Sequence, residues 1–131
     1  MRRTMLKSKI HRATVTGSDL NYVGSITIDP ELLKAADICA HEQVHVLDID
    51  NGARFVTYAL AGAPGTGAIQ VNGAAARLVH LGDTIIVVSY GDYDREELGD
   101  YEPIVVHVSR DNAIVSVDEA VSILRTAEST R

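Results

Sequence analysis

The residues best suited to chemistry are cations and phenols on two strand-like runs. Lys9 and His11 lie two apart in a run without helical period, and Arg54 and Tyr58 lie four apart in another. Each pair therefore points to one side of its strand. Guanidinium and ammonium groups are the side chains that bind carboxylates. From the residues alone, these two strands indicate a pocket for an anion.

The common signatures of cofactor and hydrolase sites are absent from the sequence. It contains no glycine-rich phosphate loop, dinucleotide fingerprint, Gly-x-Ser-x-Gly elbow or His-Glu-x-x-His pair. His41 and His45 are four apart, but their surroundings indicate a loop entering a strand, so we expect no metal site there. Cys39 is the sole cysteine, which excludes an internal disulfide and a cysteine-rich zinc site.

Composition and charge describe an acidic globular chain. Of 131 residues, 46% are hydrophobic and 23% charged, so we expect a single domain over residues 1–131. The net charge of −6 disfavours a nucleic-acid partner, whose binding needs phosphate neutralisation. No apolar run approaches the length of a membrane span, and the basic start lacks the apolar segment of a signal peptide. We therefore expect a cytoplasmic protein without a membrane partner.

β-Branched runs bounded by turn residues predict a mainly-β fold with a few short helices. The predicted strands cover residues 5–16, 25–28, 43–49, 53–60, 68–71, 84–90, 104–109 and 113–116. The predicted helices cover residues 30–36, 72–76 and 118–127. Asp29 can cap the first helix, and Asp50-Asn51-Gly52 predicts a hairpin turn. This arrangement favours a small β-barrel over a βαβ fold.

Four ordered blocks carry a resemblance to a known family. They are Lys9-Ile10-His11-Arg12, Asp19-Leu20-Asn21-Tyr22-Val23-Gly24-Ser25, Asn51-Gly52-x-Arg54-x-x-Thr57-Tyr58 and Val71-Asn72-Gly73-Ala74-Ala75-Ala76. In type and spacing these blocks resemble the pyruvoyl-dependent aspartate 1-decarboxylases over residues 1 to about 90. Asn21 departs from the pattern, because many members have His there. The resemblance implies a double-psi β-barrel and a homotetramer with its sites between neighbouring subunits.

The resemblance also implies that the chain makes its own electron sink. Decarboxylation leaves electrons on Cα, and a carbonyl-bearing cofactor must accept them. By resemblance, Ser25 attacks the Gly24 carbonyl, and the ester that forms is broken to leave a pyruvoyl group at the new amino terminus. Residues 1–24 and 25–131 become a small and a large subunit. Neither pyridoxal phosphate nor a metal is expected, and a maturation factor is left open.

Gly24 and Thr57 are the other residues expected to take part in this self-processing. A residue without Cβ reaches strained dihedral angles and lets the Ser25 hydroxyl approach its carbonyl carbon, so bulk at Gly24 should block cleavage. The resemblance assigns the Thr57 hydroxyl to positioning the Gly24 carbonyl, where it would stabilise the oxyanion.

In the mature site, the resemblance assigns residues to the conversion of L-aspartate to β-alanine for pantothenate and coenzyme A synthesis. The pyruvoyl ketone would condense with the substrate amine. Arg54 and Lys9 would bind carboxylates, and Tyr58 would donate a proton to Cα. His11 and Tyr22 are weaker candidates for further contacts. Thr57 is also expected to bind the substrate, and a substrate-binding turn would consist of Asn72 and the backbone amides of Gly73, Ala74 and Ala75.

Two other functions stay open from the residues. One is a ligand-binding barrel that keeps the pocket but does not cleave itself. The other is an oligomerisation domain in which the basic first strand packs against the acidic run 92–102 of a neighbour. Without such a partner, this acidic run is expected to be a solvated loop. Cleavage between Gly24 and Ser25 distinguishes the enzyme from both alternatives.

Overall fold

The computed structural model describes residues 1–119, which form nine strands, one short α-helix and two 3₁₀ turns. The strands are β1 (Arg3–Thr14), β2 (Gly17–Asp19), β3 (Ser25–Ile28), β4 (Gln43–Asp48), β5 (Arg54–Ala61), β6 (Ile69–Asn72), β7 (Thr84–Tyr93), β8 (Ile104–Val108) and β9 (Ile114–Glu119). Helix α1 spans Pro30–Ala35, and the 3₁₀ turns span Gly73–Arg77 and Glu97–Asp100. Neighbouring strands follow the order β2-β6-β3-β5-β4-β7-β1-β8-β9.

Strands β1 and β2 close the sheet into a barrel. Only Val15 and Thr16 separate them in the chain, yet β1 pairs with β7 whereas β2 pairs with β6. The Val15 N–H donates to Asp83 O, and the Thr16 N–H donates to Ile69 O, so the connection is itself bonded on both sides. The ring is completed by β3, β5 and β4, and β8 and β9 extend the sheet beyond β1. The predicted mainly-β barrel is confirmed.

Strand alternation separates a core face from an outer face. Along β1 and β3 to β7, side chains that point inward are fully buried. These include Ile10, Ile26, Ile28, Val44, Val46, Ile69, Val71, Ile85 and Val87. The intervening residues point away from the core, so Lys9, Ser25 and His45 lie on the outer face. These three polar side chains therefore point away from the barrel core.

Asp29 joins the start of α1 to the loop that precedes β6. Its carboxylate accepts the Glu31 N–H at 2.9 Å, the Gly65 N–H at 3.1 Å and the Gly67 N–H at 2.9 Å. Burial alone would raise the pKa of Asp29, but these backbone hydrogen bonds outweigh burial and lower that pKa. The predicted cap and helix start are confirmed.

The structure corrects the predicted elements near the end of the described chain. Asp118 and Glu119 do not open a helix, because they pair with Val105 and Ile104 as part of β9. The remainder of that predicted helix lies outside the described residues. Strand β7 continues to Tyr93, so the acidic run begins in a strand rather than a loop. Strand β2 was not predicted. Within residues 1–119, no helix has the length and hydropathy needed to cross a membrane.

Replacing Asp29 tests this junction. We expect Asp29→Ala to lower the free energy of unfolding by about 1–3 kcal/mol at neutral pH, because three N–H groups lose their acceptor. Chemical denaturation of variants in the same processing state measures this loss. The pKa of Asp29 is lowered in the folded protein. The stabilisation that depends on its negative charge is therefore present above the ordinary pKa of about 4, and it is lost as the pH falls through the folded pKa.

The exposed Glu31 in the same turn provides the matched control. Glu31→Gln should change the free energy of unfolding by less than about 1 kcal/mol. An Asp29→Ala variant as stable as Glu31→Gln would contradict the role of the junction.

Candidate active site

Ser25 begins β3 and is fully buried beside Asn72 of β6. The antiparallel register of these strands sets the two residues opposite each other. Asn72 Nδ2 donates to Ser25 Oγ at 3.0 Å and to Thr27 Oγ1 at 3.0 Å. Ser25 Oγ in turn donates to the Val23 carbonyl oxygen at 3.0 Å. The hydroxyl is therefore held beside the backbone that precedes it.

Gln70 orients the Asn72 amide. Gln70 Nε2 donates to Asn72 Oδ1 at 2.8 Å, so the amide nitrogen of Asn72 faces Ser25 and Thr27. Sequence reasoning missed Gln70 and Thr27 as parts of the site. Strand alternation could have indicated Gln70, because it lies two residues before Asn72 and so shares its face of β6.

The turn after β6 packs directly on the peptide before Ser25. Gly73 has a φ of 72°, and a Cβ at this position would lie 2.6 Å from Gly24 Cα and 3.2 Å from Tyr22 O. Only glycine permits this approach. At Gly24 itself, φ lies outside the left-handed region and a Cβ would meet nothing within 4 Å. The close contact between the two turns therefore lies at Gly73, and the effect of bulk at Gly24 on the approach of Ser25 stays a prediction.

Three alanines follow Gly73 in the 3₁₀ turn, and the last of them, Ala76, is buried. Ala74 is exposed and Ala75 is half-buried. The Asn72 side chain does not cap this turn, because its amide is used by Ser25, Thr27 and Gln70. The first N–H groups of the turn consequently have no side-chain cap.

Tyr58 lies beside Ser25 on the outer face. Ile26 pairs with Ala59 in the parallel β3–β5 ladder, and both are in the core. The residues before them, Ser25 and Tyr58, therefore share the opposite face. The Tyr58 ring stacks on His41 with centroids 6.3 Å apart. The β3–β5 pairing begins at Ile26 and Ala59, two residues after Gly24 and Thr57, and the Thr57 hydroxyl makes no hydrogen bond to Gly24 within residues 1–119.

Arg54 lies on the same face of β5 as Tyr58. Its guanidinium is exposed, and Nη2 donates to Tyr90 Oη at 3.4 Å. Within the described chain Arg54 forms no ion pair. The Tyr90 ring packs edge-on to His45, with centroids 4.9 Å apart. A shallow cavity of about 200 Å³ beside these rings is lined by Thr4, Gln43, His45 and Tyr90.

Lys9 lies on the outer face but away from Ser25. One row of paired residues runs from Lys9 through Val88 and His45 to Val56 on β5. Lys9 and Val56 are three strand spacings apart, which is a distance of about 14 Å across the sheet. The structure therefore does not bring Lys9 to Ser25 within one chain.

His11 and Tyr22 also lie apart from the Ser25 hydrogen-bond network. His11 packs edge-on to His107 with centroids 5.5 Å apart. Burial and the neighbouring His107, Lys9 and Arg12 lower the pKa of His11. The Tyr22 side chain is half-exposed, and only its backbone approaches Gly73.

Comparisons with known proteins agree on one family. The model of the aspartate decarboxylase family matches residues 1–115. An aspartate 1-decarboxylase from Mycolicibacterium smegmatis (strain ATCC 700084 / mc(2)155) is 57% identical over 117 residues, which cover 89% of this chain and 86% of that protein. Every candidate site residue described above lies within the matched range.

Replacing Gly73 tests the close packing of the two turns. We expect Gly73→Ala to lower the free energy of unfolding by about 1–3 kcal/mol, because φ is positive and the added Cβ overlaps Gly24. Denaturant titration measures the loss, and amide hydrogen exchange should show faster exchange at residues 22–24.

Gly99→Ala is the matched control, because φ is not left-handed there and a Cβ would meet nothing within 4 Å. Its unfolding free energy should stay within about 0.5 kcal/mol of the parent chain. Equal stability and exchange for Gly73→Ala and Gly99→Ala would show that the overlap is not real.

Proposed function

Because the chain belongs to the aspartate decarboxylase family, we propose that it converts L-aspartate to β-alanine and CO₂ with a pyruvoyl group made from its own Ser25. The observation that carries this proposal is the buried Ser25 hydroxyl, held between Asn72 and the backbone of Val23. The product serves pantothenate and coenzyme A synthesis, and we assign the reaction to the cytoplasm.

Ser25 is the proposed nucleophile of self-processing. Attack of Oγ on the Gly24 carbonyl carbon forms an ester and breaks the Gly24–Ser25 peptide bond, while the hydroxyl proton passes to the freed Ser25 amine. Removal of the Ser25 α-proton then expels the Gly24 carboxylate, and hydrolysis releases ammonia to leave a ketone at residue 25. Asn72 holds Oγ beside the preceding backbone, and its amide donor stabilises the negative charge that this oxygen gains when the Gly24 carboxylate leaves. The products are residues 1–24 and 25–131.

The surroundings of Ser25 fit a small carbonyl group. Asn72 Nδ2 is a hydrogen-bond donor aimed at the β3 start, where a carbonyl oxygen can accept it. Once formed, the pyruvoyl carbonyl would supply the sink for the electrons that CO₂ leaves behind. Neither a metal nor pyridoxal phosphate enters the proposed chemistry.

Arg54 and Tyr58 are the proposed substrate-binding and proton-donating residues. Both lie on the outer face of β5, and Tyr58 is beside Ser25 by register. An unpaired guanidinium can bind a carboxylate in two hydrogen bonds. A phenol is a weak acid that donates a proton only when held in line with its acceptor, and the stacking against His41 restricts this ring.

We propose that a second copy of the chain completes each site, in a homotetramer. Ser25, Arg54 and Lys9 all lie outside the barrel, and Lys9 is too far along the sheet to reach Ser25 in its own chain. A neighbouring copy packed on this face would bring its Lys9 to the substrate. The half-exposed Tyr22 and the exposed Val23 and Val56 are apolar surface that such packing would cover. A maturation factor is compatible with this assembly.

Contacts within the chain disfavour the oligomerisation-domain alternative. Arg2 Nη2 donates to Asp92 O at 2.7 Å and lies 3.6 Å from Glu97 Oε1, so the basic start contacts the acidic run of its own chain. The ligand-binding alternative is disfavoured by family membership.

Replacing Ser25 tests self-processing. The parent chain should separate into fragments 1–24 and 25–131 by intact mass spectrometry, the larger beginning with a borohydride-reducible ketone. Ser25→Ala should stay uncut and inactive, because it has no nucleophile. Ser18→Ala, at an exposed serine of β2, should be cut like the parent. Active parent protein that remains a single chain would overturn the proposal.

Replacing Arg54 tests substrate binding in processed enzyme. We expect Arg54→Met to raise the KM for L-aspartate about 10- to 100-fold with a smaller effect on kcat, because the carboxylate loses a charged partner. Steady-state kinetics measures both constants. Arg110→Met removes an exposed arginine elsewhere and should leave KM unchanged. Equal KM values for the two variants would rule out Arg54 as the carboxylate ligand.

A further inference from the structure

Three carboxylates meet where the β4–β5 turn packs against the segment before β7. Asp48 ends β4, Asp50 lies in the turn, and Asp83 precedes β7. One oxygen from each lies within 4.8 Å of the other two. The Ile49 N–H donates to Thr84 O at 2.8 Å, so backbone pairing fixes the two segments together. The negative charges are therefore held close by the fold.

Asp48 brings an unsatisfied buried oxygen to this cluster. The residue is 2% exposed, and its Oδ2 has no hydrogen-bond partner among residues 1–119. Its Oδ1 accepts the Asp50 N–H at 2.9 Å and the Asn51 N–H at 3.3 Å. A buried carboxylate oxygen without a donor or cation is costly, because it has lost its water. Something must compensate Oδ2 in the folded protein.

The other two carboxylates also keep a free oxygen. Asp50 Oδ2 accepts the Thr84 N–H at 2.8 Å, and Asp83 Oδ2 accepts the His80 N–H at 3.0 Å. Their Oδ1 atoms accept no hydrogen bond from any residue that the structure describes. No lysine or arginine in that same part of the chain forms an ion pair with the three acids. The nearest basic atom is His80 Nδ1, 4.0 Å from Asp83 Oδ2.

We propose that Asp48, Asp50 and Asp83 bind one divalent cation of the calcium or magnesium type. These hard cations prefer carboxylate oxygens, and Ca²⁺–O distances of about 2.3–2.6 Å suit ligands that lie up to about 5 Å apart. Asp50 is exposed, so the ion can enter from solvent and complete its shell with water. With three protein ligands, we expect a dissociation constant on the order of 10⁻⁴–10⁻³ M.

A proton shared by Asp48 and Asp83 is the competing explanation. Burial and the neighbouring Asp83 raise the pKa of Asp48, whereas its interaction with Asp48 lowers the pKa of Asp83. A shared proton involves only Asp48 and Asp83 and gives no response to cations. Cation binding engages all three residues and links the β4–β5 turn to β7.

Calorimetric titration of the purified, metal-stripped protein with CaCl₂ and MgCl₂ at about pH 8 tests the proposal. We expect saturable binding of one ion per chain and a rise of a few degrees in Tm at saturation. Asp50→Asn should weaken binding at least about tenfold. This variant keeps an oxygen to accept the Thr84 N–H, so its fold should be retained. Asp100→Asn, at an exposed acid elsewhere, should bind like the parent.

Asp48→Asn separates the two explanations. If a cation is bound, this variant loses both binding and the Tm response. If a proton is shared, the parent shows no saturable binding up to about 10 mM Ca²⁺ or Mg²⁺. In that case the variant is at least as stable as the parent, because its amide donates permanently to Asp83. Absent binding by the parent, or equal binding by Asp50→Asn, overturns the proposal.

Discussion

The pairing of β3 with β6 is the constraint on which the Ser25 site depends. It sets Ser25 opposite Asn72, and the amide of Asn72 then bonds the serine hydroxyl while Gln70 fixes its orientation. The other face of the same two strands is fully buried and consists of Ile26, Ile28, Ile69 and Val71. A slip of one residue would turn these side chains to the outside and the polar ones into the core. Hydrophobic burial therefore also determines where the hydroxyl lies.

Local signals in the sequence were sufficient for much of the fold. The Asp29 cap and the β4–β5 hairpin depend on residues adjacent in the chain, and both are confirmed. Strand β2 and the end of β9 depend on distant partners. An acidic residue such as Asp118 is compatible with the start of a helix and with an edge strand. Pairing with β8 is what makes this segment a strand.

The candidate site was predicted unevenly for the same reason. Composition and strand parity indicated only an anion pocket, whereas four spaced blocks indicated the family that the comparisons show. Gln70 was missed because its contact with Asn72 has meaning only once β6 is paired with β3. The close contact of Gly73 with Gly24 was not predicted, because a sequence does not show that two distant glycines approach each other.

Barrel closure by β1 and β2 has a consequence for a chain that is cut after residue 24. The amino-terminal piece would carry both closing strands, with Ile10 and Ala13 completely inside the core. It could not leave without opening β7, β8 and β6 at once. Cleavage would thus create two new chain ends, but both fragments would stay associated. The cleaved molecule would unfold in one cooperative transition, and its fragments would separate only in denaturant.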